Sequence, residues 1–134
     1  MPSSRPIDRL RDIVDNCERI KRHIAGMDLE AYSRDEKIRD AVERCLQRSS
    51  EAAYKLGNYL DGLYSGARWK ATRGVGNPLR HQYDKISDAE IWDGVLQTLP
   101  AIRQSAIAEI HRLEASQFGN GKQEGLLPPS IEKS

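Results

Sequence analysis

Aromatic side chains make up only 6% of this sequence, and no segment alternates apolar and polar residues with a two-residue period. Both shortages argue against a sandwich or barrel, which draws on aromatic and β-branched residues in paired strands. Cysteine is nearly absent too. Cys17 and Cys45 are the only two, distant in sequence and without a histidine at ligand spacing, so neither a disulfide framework nor a zinc site is expected. Both are read as buried thiols on apolar helix faces. Nowhere do about 18 apolar residues run together as a membrane span needs. Met1 to Asp8 carries no signal-peptide core either, so the expectation is a cytosolic protein with no membrane partner. A glycine-rich phosphate loop and an internal repeat are also missing. Finally, 21 basic against 20 acidic residues leave a net charge of +1, so any attraction for phosphate has to come from a local patch.

What the sequence does contain is helical periodicity. Leu10, Ile13, Cys17, Ile20 and Ile24 advance in steps of three and four, which predicts a helix from about Asp8 to Ala25 with Gly26 as its stop. Asp28 to Ser33 reads as a short connector with room for one helical turn. From Asp35 the stripe resumes through Ile38, Val42, Cys45, Ser49, Ala52 and Leu56, closed by Gly57. Its face at Ser49, Ser50, Ala52 and Ala53 is small enough to admit another helix, from this chain or a second one. Tyr59, Leu60, Leu63 and Tyr64 extend or follow it, and a short helix is expected near Ala67. Ser87-Asp88-Ala89-Glu90 has capping-box spacing before Ile91, Trp92, Val95, Leu96 and Leu99. Ile102, Ala106, Ile110 and Leu113 form a last stripe, with Glu109 and His111 placed on its outer faces. The expected fold is therefore all-α, an up-and-down bundle of four to five helices. Residues 1–116 form one helical domain and 117–134 a flexible tail without periodicity.

One stretch differs chemically from the rest. Between Ser65 and Tyr83 stand Arg68, Lys70, Arg73 and Arg80 and no acidic residue, a positive patch in a chain that elsewhere mixes signs. Asn77-Pro78 is a helix-start signal, and a helix opening there would bring free amides and a positive dipole end beside His81. An imidazole near its ordinary pKa can move a proton at neutral pH, and a nearby guanidinium can stabilise a crowded phosphoryl transition state. Trp69 and Tyr83 could stack on bases of single-stranded RNA, with Arg68 and Lys70 on its phosphates. Each of these residues also has an ordinary structural reading: Asn77 as a cap, Tyr83 as a packing aromatic, His81 as a solvated side chain.

The run Gly76-Asn77-Pro78-Leu79-Arg80-His81-Gln82-Tyr83 resembles the signature Arg-Asn-x-x-x-His-x-Tyr of HepT-like proteins in the HEPN superfamily. Ile20 to Asp28, Ala41 to Leu46 with Ser50 to Ala52, and Ile91 to Pro100 are similar to the flanking regions, so the resemblance covers about residues 7 to 113. It implies a HEPN-like bundle that dimerises with the two signatures facing each other, and a metal-independent endoribonuclease toxin needing no cofactor. It also implies a minimal nucleotidyltransferase antitoxin that transfers AMP to the signature tyrosine. By position that tyrosine is Tyr83, the catalytic histidine is His81 and the polar signature residue is Asn77. The signature arginine is replaced by Gly76, so a guanidinium has to come from Arg80 or, failing that, Arg73. That replacement keeps open a catalytically silent module that binds RNA or the nucleotidyltransferase through the same surface. A pure assembly subunit, using the small-residue helix face, is a third reading.

Overall fold

Local chemistry sets most of the helix boundaries. The computed structural model describes residues 5–75 and 86–122, and among them are seven helices and no strand. α1, Pro6–His23, begins with proline in its first turn beside Asp8 and ends on Lys21, Arg22 and His23, a charge order that suits the helix dipole. Gly26 follows at a φ of 79°, a left-handed conformation that favours glycine. α2, Leu29–Arg34, is capped by Asp28, whose carboxylate accepts from the Ala31 amide at 2.9 Å. α3, Glu36–Leu56, is capped in the same way by Asp35 on the Ile38 amide at 3.0 Å and stops at Gly57, again at a φ of 79°.

Two short helices follow, α4 at Tyr59–Leu63 and α5 at Trp69–Gly74. α6, Asp88–Gln97, opens on the expected capping box: the Glu90 amide donates to Ser87 Oγ, and the Ser87 amide donates back to the Glu90 carboxylate, both at 3.1 Å. α7, Leu99–Lys122, completes the chain.

The expectation of four to five helices is refined to four long ones and three short ones, because the connectors at 29–34, 59–63 and 69–74 each close their own turns. α7 also continues past Ser116, where a tail had been expected, to Lys122. The rest of that tail lies outside the described residues.

The core forms where the stripes of α1, α3, α6 and α7 meet. Leu10, Ile13, Val42, Ile102 and Ala106 are fully buried there, and Cys17 and Cys45 are buried free thiols. Burial pushes the Cys17 thiol up to about 12, so it stays protonated and unreactive at neutral pH. α1 runs antiparallel to α7, since Arg11 pairs with Glu114 at 2.7 Å while Glu18 pairs with Arg103 at 2.8 Å. Tyr32, on the connector helix α2, is fully buried with its ring 5.3 Å from that of Trp92, which locks α2 against α6.

The small-residue face is used within the chain. Ser49, Ser50, Ala52 and Ala53 are all buried, and the Ser50 hydroxyl donates to the Arg73 carbonyl at 2.9 Å, so α5 lies close to α3 there. That surface is not available for assembly between chains. No helix among the described residues is long and apolar enough to cross a membrane.

Candidate nucleic-acid interface

The short helix α5 carries the described half of the basic stretch. Arg68 and Lys70 are exposed, as a phosphate-contacting role requires. Trp69, between them, is not: only 2% of it reaches solvent, and its indole N–H donates to Ser105 Oγ at 3.1 Å on α7. The expected stacking of Trp69 on RNA bases is therefore corrected. A helix turn places neighbouring residues about 100° apart, so α5 can present Arg68 and Lys70 outward only by turning Trp69 into the core.

Arg73 has a different environment from either. Its Nη1 and Nη2 donate to the two carboxylate oxygens of Asp61 on α4 at 2.7 and 2.8 Å, and Nη1 also donates to the Gly57 carbonyl at 3.2 Å. With the Ser50 bond to its carbonyl, this residue joins α3, α4 and α5. The hydrogen bonds from Arg73 hold the Asp61 carboxyl below its ordinary range, and Lys70 acts in the same direction. Asp61 lies just outside the acid-free window that begins at Ser65, which is why the sequence showed a patch of uncompensated charge.

Gly76, Asn77, Arg80, His81 and Tyr83 lie outside the described residues. The chain leaves the described structure at Val75 and returns at Ile86, and both side chains line one largely apolar cavity of about 140 Å³ between α3, α5 and α6. Ser49 also lines it, with a buried hydroxyl that has no hydrogen-bond partner among the described residues. The basic helix, through Ala71, Thr72 and Val75, and the end of the capping box at Glu90 thus border the same cavity.

Glu109 is the second correction. It was expected on an outer face of the last helix, yet it is fully buried. Its carboxylate accepts from Tyr59 and Tyr64 hydroxyls at 3.1 and 2.9 Å and from Nε and Nη2 of Arg112 at 2.8 and 2.7 Å. Those donors, Arg112 foremost, hold its pKa below the ordinary carboxylate value despite burial, and burial beside the carboxylate pushes the Tyr59 phenol up to about 12. Spacing carried the signal: Glu109 stands three residues after Ala106, in register with the stripe, but its charge suggested the solvent side. His23 and His111 are exposed, as expected. Among the described residues no three His, Cys, Asp or Glu side chains gather as a metal site would need.

Comparison with known proteins adds what the geometry does not carry. The family described as Ribonuclease HepT-like matches residues 13–108. A protein of Caldanaerobacter subterraneus subsp. tengcongensis named "Putative RNase" is 26% identical over 104 residues, 78% of this chain and 91% of its own. Two proteins of Methanocaldococcus jannaschii bear the same description: one is 28% identical over 105 residues, 78% of this chain and 90% of its own, and the other 30% identical over 91 residues, 68% and 75%. No solved structure matches the chain at a significant level.

Proposed function

The chain belongs to the HepT-like ribonuclease family, and on that premise we propose that it is the endoribonuclease toxin of a toxin-antitoxin pair, acting on RNA as a homodimer without a metal. The observation that carries the reading is the family match over residues 13–108, which encloses His81 and Tyr83 at their signature spacing. His81 takes the proton of a ribose 2′-hydroxyl as its oxygen attacks the adjacent phosphorus. The new O2′–P bond forms while the P–O5′ bond breaks, and a proton is returned to the leaving oxygen, giving a cyclic phosphate and a free 5′-hydroxyl. Arg80, or Arg73 in its place, stabilises the charge on the phosphate, while Asn77 orients it. Arg68 and Lys70 track the flanking backbone.

The partner in this reading is a minimal nucleotidyltransferase antitoxin, which silences the toxin by transferring AMP to Tyr83. The test is cleavage of single-stranded RNA by the purified protein. His81→Ala should lower the rate by at least about 100-fold, and intact RNA with wild-type protein sinks the nuclease assignment. Co-expression with the neighbouring nucleotidyltransferase should add AMP mass to wild type and not to Tyr83→Phe.

Gly76 favours a second reading. With no guanidinium at the signature arginine position, a module that binds RNA or its nucleotidyltransferase without cleaving is the alternative. RNA retained intact on a gel, at salt-sensitive affinity, identifies it.

A further inference from the structure

Arg73 uses three of its five N–H donors. Nη1 spends both hydrogens, on Asp61 and on the Gly57 carbonyl, and Nη2 spends one on Asp61. Nε–H and the second hydrogen of Nη2 have no partner among the described residues. These two donors form the other edge of the planar fork, the edge that binds a phosphate through two parallel hydrogen bonds. The side chain keeps 18% of its surface in solvent, so the edge is not sealed into the core.

The fork cannot swing freely. Its far edge is held by a carboxylate and a carbonyl, and its own backbone carbonyl is held by Ser50. Lys70, three residues earlier on the same helix, shares that face and acts on the same carboxylate, so one negative group is set against two cations. The face stays net positive while one of its cations is fixed in orientation.

Building on the ribonuclease reading, we infer that Asp61 is a positioning residue, which holds the Arg73 guanidinium so that its free Nε edge receives a backbone phosphate of the RNA. The arrangement explains why a basic patch meant for an anion contains a carboxylate at all. An acid that only neutralised charge would weaken the site, whereas one that restricts a long side chain removes the rotamer entropy that binding would otherwise cost.

The two roles predict opposite signs. Asp61→Asn removes a negative charge, so simple electrostatics makes RNA bind more tightly. Positioning makes it bind more weakly, by about tenfold for a charge-assisted pair that is no longer aimed. The probe is a single-stranded oligonucleotide with 2′-O-methyl riboses, which cannot be cleaved by 2′-hydroxyl attack, titrated into the full chain over a range of salt. Weaker binding by Asp61→Asn at an unchanged salt slope, and a slope smaller by about 0.7 in Arg73→Ala, are expected. Affinity equal to or tighter than wild type in Asp61→Asn, or an unchanged slope in Arg73→Ala, overturns the inference.

If Asp61→Asn does not fold, wild-type protein still decides. The Nε–H resonance of Arg73, assigned by its loss in Arg73→Lys, should move when the oligonucleotide is added, and an unmoved resonance refutes the contact. Wild-type protein that binds this probe yet leaves ordinary RNA intact refutes the nuclease reading alone.

Discussion

Two acid–arginine pairs in this molecule look alike in the hydrogen-bond pattern and differ in how deeply the acid is buried. Glu109 is fully buried, and its two oxygens accept from Tyr59, Tyr64 and both forked nitrogens of Arg112. Asp61 holds one edge of Arg73 and leaves the other edge unused. The Glu109 carboxylate is saturated and sealed in the core, so its work is to fasten α4 to α7. Asp61 instead aims an arginine that keeps donors to offer beside the exposed Arg68 and Lys70. Where the acid of a pair lies therefore separates scaffold from interface better than charge alone does.

The sharpest way to break that contrast is to remove the Glu109 carboxylate. Glu109→Ala should cost about 3 kcal/mol of stability, toward the low side for a broken buried pair because Arg112 is half in water. Denaturant unfolding measures it. RNA affinity of the folded fraction should stay within about twofold, since a stability change away from the interface leaves contacts intact. An affinity loss as large as that of Asp61→Asn would erase the distinction between the two pairs.

Acid provides the next largest effect. The folded-state pKa of Glu109 is depressed, so its stabilisation is complete above the ordinary glutamate value of about 4.5 and is lost as pH falls through the lower folded value. Wild type should therefore lose stability steeply below about pH 4.5, and Glu109→Gln should show a shallower acid limb. Parallel limbs in wild type and Glu109→Gln would place the acid sensitivity elsewhere.

The smallest effect tests the corrected role of Trp69. Trp69→Phe keeps an aromatic ring in the core but deletes the indole N–H, while Ser105 Oγ retains its own bond to the Ile102 carbonyl. The expected cost is about 1 kcal/mol by thermal or denaturant unfolding, with RNA binding unaltered. A selective loss of RNA affinity would return Trp69 to the interface.

Much of the fold was legible because its signals are local. Asp35 capping Ile38, Gly57 ending α3, and the Ser87–Glu90 box opening α6 each involve residues three or fewer positions apart, or a single backbone conformation. The helices at 29–34 and 59–63 were harder to read, since five or six residues carry too few repeats for periodicity to register. The site was legible only as a composition: four cations without an acid, and a histidine and tyrosine at signature spacing. Arg68 and Lys70 are exposed, Trp69 is buried, and the signature residues themselves fall outside the described structure.

What the sequence determined by itself is the long helices, several of their caps and the family to which they belong, because these depend on neighbours within one turn or on a linear pattern. Tertiary structure decided the fates of Trp69, Glu109 and Arg73. Their partners stand 36 residues away for Ser105, 50 and 45 for Tyr59 and Tyr64, and 12 for Asp61. Whether a polar side chain is scaffold or interface depends on which donors and acceptors meet it in space, and only folding brings those groups within hydrogen-bond distance of one another.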